Sequence, residues 1–190
     1  MSEARIGFAL TGSFCTFKAV FPQIELLVQK GYRVTPIMSA NAYATDTRFG
    51  AAADWIAQAE AITGEKVIHT IAQAEPIGPK KLLDLLIIAP CTGNTLGKLA
   101  CGIYDTAPTL AVKSHRRNGG PVLIAVSTND ALAVSAASIG TLMARQGMFF
   151  VPFEQDDHRG KPTSCVADFA KILPAAEAAL EGRQLQPVIF

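Results

Sequence analysis

The stretch from Asp84 to Ala100 constrains this chain more than any other. Leu85-Leu86-Ile87-Ile88-Ala89 is a continuous apolar run with no polar alternation. A strand of that kind is buried on both faces, as in a parallel sheet covered by helices. Pro90 is expected to end it, because proline has no N–H for the ladder. Cys91-Thr92-Gly93-Asn94-Thr95 follows as a small, polar turn, and a helical pattern runs on from Asn94. A strand, a tight turn and a helix N-terminus is the place where open α/β sheets hold ligands. The turn offers backbone N–H groups and the Asn94 amide to a flat polar ligand. The same residues also suit a plain connection with Asn94 or Thr95 as N-cap.

The rest of the chain reads as repeats of that unit. Arg5–Leu10 is a first strand, Thr11-Gly12-Ser13 a turn, and Thr16–Lys30 a helix closed by Gly31. Arg33–Met38 is a second strand, and Ser39-Ala40-Asn41-Ala42 a second ligand-facing loop. Ala51–Thr63 is helical and Lys66–His69 a short edge strand. Glu75–Pro79 is a rigid turn. Pro108–Arg117 is a helix, Pro121–Val126 a strand, Ala133–Gln146 a helix, Met148–Pro152 the last strand, and Val166–Leu180 the final helix. Phe153 to Cys165 is polar, carries Gly and Pro, and lacks periodicity, so it reads as an active-site flap or a disordered loop. Leu185–Phe190 is an apolar tail suited to docking on the body or on a neighbour.

Composition narrows the classes. A chain of 190 residues with 49% hydrophobic and 17% charged residues makes one α/β domain over 1–190, with apolar surface to spare for assembly. A net charge of +1 gives no reason to expect a nucleic acid or a membrane surface as partner. No run is long enough to span a bilayer and no signal-peptide pattern opens the chain, so a cytoplasmic place is expected. Cys15, Cys91, Cys101 and Cys165 stand far apart without metal-ligand spacing.

Several polar residues gather on loops at one sheet edge. Gly12 and Ser13 suit a phosphate, which the N–H groups of a turn and helix start attract. The three spaced glycines of a dinucleotide fingerprint are absent, which favours a mononucleotide. Ser39 and Asn41 can hydrogen-bond a cofactor or simply turn the chain. Arg48, beside Phe49, can clamp a carboxylate or serve as a solvated surface cation. Ser127-Thr128-Asn129-Asp130 is a third polar loop. His69 has no acid or nucleophile beside it and reads as a surface residue; His115-Arg116-Arg117 complements a helix C-terminus.

These loops together resemble the homo-oligomeric flavin-containing cysteine decarboxylases, a flavoprotein family that binds FMN. Its Pro-Ala-Ser-Ala-Asn-Thr turn is matched here at Pro90, Asn94 and Thr95, with Lys98 and Ala100 following; its loop after the second strand is matched at Ser39 and Ala42. The resemblance implies a three-layer Rossmann-like fold with a six-stranded parallel sheet in the order 3-2-1-4-5-6. It also implies trimers or multiples of trimers with flavin at the contacts between copies. Two departures bear on activity. The family's catalytic histidine falls on Pro76, counted back from Asp84, and its substrate loop keeps only Asn129.

The whole chain is more similar to a two-component branch of that family. Thr11-Gly12-Ser13 with Cys15-Thr16, Thr47-Arg48-Phe49-Gly50, Ser127 to Leu132, and Pro152-Phe153 with Gln155-Asp156-Asp157 carry the match, together with Lys161-Pro162 and Leu185-Gln186-Pro187. That branch implies a spore-forming bacterium, a Rossmann-type partner protein that brings NAD(P), and pyridine-2,6-dicarboxylate as product. Hydride loss from a dihydropyridine dicarboxylate aromatises the ring, so the protein mainly positions it against the flavin. Gly12, Ser13 and Ser39 are then expected on the FMN phosphate, with Asn41 and Ser127 beside them. Pro90, Cys91, Thr92, Gly93, Asn94 and Thr95 are expected along the flavin and ribityl chain. Arg48, Lys98 and Asn129 are expected on the substrate dianion, with Arg116 and Lys161 behind them. No residue is named as the proton acceptor. Two other readings stand beside this one: a flavin prenyltransferase, whose Gly-Ala-Ser-Gly turn this chain lacks, and a non-catalytic flavin-binding protein supporting its partner.

Overall fold

Five parallel strands carry the architecture of the computed structural model, which describes residues 4–190. They are β1 (Arg5–Leu10), β2 (Arg33–Met38), β3 (Leu85–Cys91), β4 (Val122–Thr128) and β5 (Met148–Phe150). Their order is β2-β1-β3-β4-β5. Every residue of β3 is buried, as are Val122 to Ser127 of β4. Both strands lie between two helix layers and keep no polar face, which explains their unbroken apolar sequence.

Among the described residues eight α-helices flank the sheet: α1 (Phe17–Gln29), α2 (Ala40–Ala44), α3 (Ala52–Thr63), α4 (Ile71–Ala74), α5 (Gly93–Ala100), α6 (Ala107–Arg116), α7 (Val134–Met143) and α8 (Ile172–Leu180). In one group α1 packs on α3 and α8; in the other α5 packs on α6 and α7. Phe17 and Phe21 of α1 meet Trp55 of α3, with ring centroids 5.4 and 5.0 Å apart. At the other end of the sheet the Arg5 guanidinium grips Asp84 at 2.8 and 3.1 Å, tying the start of β1 to the start of β3.

The fold is the expected α/β class, with four differences of detail. The strand expected at Lys66–His69 shrinks to a single bridge between Ile37 and Ile68. Ile68 N donates to Pro36 O and Met38 N to Ile68 O. The ladder goes no further one way because Pro36 has no N–H. It goes no further the other way because Thr70 N turns to the Gln73 side chain in the capping box of α4.

Pro90 does not end the central strand. β3 continues to Cys91 through a register shift against β4 between Ile88 and Cys91, the kind of irregularity that accommodates a proline inside a sheet. Among the described residues the sheet also has seven strands rather than six, two of them antiparallel. β6 (Phe153–Glu154) pairs with β7 (Cys165–Ala167), and β7 pairs with the end of β4. Residues 165–167 therefore form a strand where the sequence predicts the start of a helix, and α8 begins only after Asp168 caps a short turn by accepting from Ala170 N. Finally, α7 stops at Met143, which leaves Arg145 free to cap α5 through the Leu99 and Ala100 carbonyls at 2.9 and 2.6 Å. The apolar tail runs beside β6, where Phe153 N donates to Val188 O.

Candidate active site

The carboxyl ends of β1, β3 and β4 open onto one cavity of about 650 Å³. Its floor is a set of short polar bonds between the three loops. Thr11, almost wholly buried, donates its hydroxyl to Pro90 O at 2.7 Å and accepts from Thr92 N at 3.1 Å. Thr92 in turn caps α5 by accepting from Thr95 N, and its hydroxyl lies 3.1 Å from that of Thr95. Across the cavity, Ser13 Oγ and Ser127 Oγ are 2.8 Å apart. The turn after β1 is thus fixed to the ends of β3 and β4.

Gly93 lets the third loop come in. A Cβ there would stand 2.6–2.8 Å from Ser135 Oγ, Asp130 Oδ1 and Thr128 Oγ1. Only a bare Cα allows the start of α5 and the loop after β4 to line the same cavity. Asp130 Oδ1 accepts from Thr128 at 2.5 Å and Ser135 at 2.8 Å. The Thr128 hydrogen bond, aided by Ser135 and opposed by partial burial, holds the Asp130 carboxyl below the usual carboxylate range.

The segment joining β6 to β7 folds back over this cavity. Thr163 donates its hydroxyl to Asn129 O at 2.6 Å, and Leu132 N donates to Thr163 O at 3.0 Å. These bonds bring Asp156, Lys161 and Ser164 onto the lining. Lys161 Nζ lies 3.2 Å from Asp156 Oδ2. Burial pushes the Asp156 carboxyl up, and hydrogen bonds from Ser164 and Lys161 outweigh it, so its net direction is down.

The candidate residues divide sharply by position. Gly12, Ser13, Thr92, Gly93, Asn94, Ser127 and Asn129 all line the cavity. Pro90 is buried within β3 and Cys91 wholly so, and burial pushes the Cys91 thiol far up. Thr95 is buried behind Thr92. Ser39 caps α2 by accepting from Ala42 N, and Asn41 is exposed on that helix. The Arg48 guanidinium sits 4.9 Å from the Phe49 ring centroid, and it is Phe49 that faces the cavity. Lys98 is paired with Asp105 at 2.7 and 2.9 Å. Arg116 is spent on the carbonyls of Gly119, Gly120 and Gln146.

Lining residues beyond the expected set have different origins. Phe14, Cys15 and Thr16 directly follow the Gly12-Ser13 turn, so adjacency is their signal. Asp156 and Ser164 reach the cavity because the β6–β7 segment folds back over it; the aperiodic polar stretch marks that segment as a flap or a loop, but not which of its residues face inward. Hydroxyls of Ser13, Thr92 and Ser127, amides of Asn94 and Asn129, and the rings of Phe14 and Phe49 make a set that fits a phosphorylated, flat heteroaromatic group.

Comparison with known proteins agrees with that chemistry. Residues 1–170 match the Flavoprotein family. The B-subunit of dipicolinate synthase from Bacillus subtilis (strain 168) is 46% identical over 185 residues, covering 97% of this chain and 92% of that protein. The crystal structure of the same B-subunit from Bacillus halodurans C superposes with a TM-score of 0.91 at 43% identity, covering 98% and 96% of the two chains. The FMN-dependent cysteine decarboxylase SpaF superposes with a TM-score of 0.69 at 21% identity, covering 95% of this chain and 98% of that one, a likeness of fold.

Proposed function

Because the chain belongs to the flavoprotein family and stands beside the B-subunit of dipicolinate synthase within it, we propose that it binds FMN and forms pyridine-2,6-dicarboxylate from a dihydropyridine dicarboxylate. In this reading it works with the dipicolinate synthase A-subunit, which brings NAD(P), in the mother-cell cytoplasm of a sporulating bacterium, as a homo-oligomer. The observation that carries it is the convergence of three strand-end loops on one cavity, locked by the Ser13–Ser127 contact.

Each lining residue then has a task. Gly12, Ser13 and Ser127 hold the phosphate and ribityl hydroxyls, with Ser39 on the adjoining loop. Thr92, Gly93 and Asn94 present backbone N–H groups and an amide to the ring edge. Phe14 and Phe49 flank ring faces and exclude water. Asn129 orients the substrate, and Arg48, carried on Phe49, strengthens the field at the cavity mouth. FMN, when bound, supplies the hydride acceptor. The substrate ring must also lose a proton as it aromatises, and the ionised Asp130 and Asp156 carboxylates are the acceptors on the lining.

A second reading rests on one observation. Among the described residues no histidine lines the cavity, and the position of the family's catalytic histidine is Pro76, in the turn of residues 75–77. The chain would then bind flavin and support its partner without doing chemistry.

An absorption spectrum after adding FMN and removing unbound flavin tests the cofactor. Flavin peaks at about one per chain support the proposal; their absence with the A-subunit present removes it. Assay of the A-subunit alone separates the readings. An undiminished rate without this chain favours the non-catalytic one.

A further inference from the structure

The cavity that this reading assigns to FMN and a dianionic ring has one cationic side chain on its lining among the described residues, Lys161. The other candidate cations are engaged elsewhere: Arg48 on the face of Phe49, Lys98 on Asp105, Arg116 on three carbonyls. Asp130 and Asp156 are the two carboxylates of the lining. Asp130 is held by two hydroxyls, those of Thr128 and Ser135. Asp156 is the group paired with Lys161, at 3.2 Å, and also accepts from Ser164.

The Lys161–Asp156 pair is built to be exchanged. The Lys161 side chain is 58% exposed, and a pair so open to water contributes little to stability. Asp156 keeps a hydrogen bond from Ser164 when Lys161 leaves. The segment bearing both is pinned by Thr163 to Asn129 O and by Leu132 N to Thr163 O. The flexible Lys161 stem is therefore carried on a fixed frame, on the same lining as Asn129.

We infer that Lys161 is the carboxylate-binding residue of this site, releasing Asp156 to take one carboxylate of a pyridine-type dicarboxylate while Asn129 addresses the ring from the loop after β4. The inference rests on the proposed substrate class and adds the residue that recognises it. Lys161 is a compact point charge on a flexible stem, suited to exchanging one carboxylate for another.

The test is calorimetric titration of FMN-loaded protein with pyridine-2,6-dicarboxylate, using wild type, Lys161→Gln, Lys161→Arg and Asp156→Asn. Loss of a charge-assisted hydrogen bond predicts an affinity about ten- to hundredfold lower for Lys161→Gln, with flavin retained at the wild-type ratio. Lys161→Arg should restore most of the affinity, and Asp156→Asn should bind at least as tightly as wild type. Equal binding by wild type and Lys161→Gln overturns the inference alone. Loss of flavin from Lys161→Gln also overturns it, because the lysine would then serve the cofactor phosphate. If wild-type protein retains flavin yet does not bind the dicarboxylate, the proposed substrate class fails and the inference with it.

Discussion

Ser13 Oγ and Ser127 Oγ meet at 2.8 Å across the carboxyl end of the sheet, although they stand 114 residues apart in the chain. This contact joins the turn after β1 to the end of β4, beside the buried Thr11 that fixes the turn to β3. The polar floor of the cavity is therefore one connected set, and changes within it should alter stability and flavin binding together.

Thr11→Val is the sharpest probe of that floor. The exchange keeps the shape but leaves Pro90 O and Thr92 N without their partner. A stability loss of about 1–3 kcal/mol is expected, read from urea unfolding. A loss below about 0.5 kcal/mol would show that water replaces the hydroxyl.

Gly93→Ala should separate two loops. Its methyl group would collide with Ser135, Asp130 and Thr128, all of them tied into one cluster. Over-packing of this kind costs about 1–3 kcal/mol. Flavin retention should fall along with the unfolding midpoint, because Thr92 to Asn94 would move away from Ser127 to Asn129. Full retention of flavin at the wild-type midpoint would refute the cradle.

Arg48→Ala should raise the substrate KM about two- to threefold while flavin stays bound. The arginine reaches the cavity only through Phe49, so its effect belongs to the field at the mouth and should fade at high salt. An unchanged KM at low salt would reduce Arg48 to a surface cation.

Acid should destabilise the fold in two steps. His115 is buried, with Nε2 3.0 Å from Pro121 O, and its ring is pushed to a lower pKa, chiefly by burial, against that hydrogen bond. The unfolded chain therefore binds the proton first. Stability from His115 is complete above the unfolded value of about 6.5 and is lost as pH falls through the lower folded value. Asp84, held down by its hydrogen bond with Arg5, and Asp130, held down chiefly by Thr128, extend the loss below about pH 4. Urea midpoints at pH 7.5 and 5.5 check the first step, which should be smaller in His115→Gln.

Much of this protein is legible in sequence because local physics decides it. The continuous apolar runs of β3 and β4 demand burial on both faces, and Gly31 and Gly64 stop their helices with positive φ, as C-caps do. The Gly12-Ser13 and Thr92–Asn94 turns follow strands and Ser127–Asn129 closes one, so their gathering at one sheet edge was determined once the sheet was parallel.

Whatever depends on a partner distant in sequence emerges only in the folded chain. Pro36 and the α4 capping box reduced a plausible edge strand to one bridge. Arg48 and Lys98 look alike in sequence to Lys161, since each is a cation near a polar turn, but only Lys161 is carried onto the lining, by β7 pairing with β4. Sequence spells out which residues have the chemistry for a site. Which of them reach it is set by long-range pairing, because β7 pairing with β4 folds the segment before it over the cavity, and the local pattern of that segment does not say which side chains will face inward.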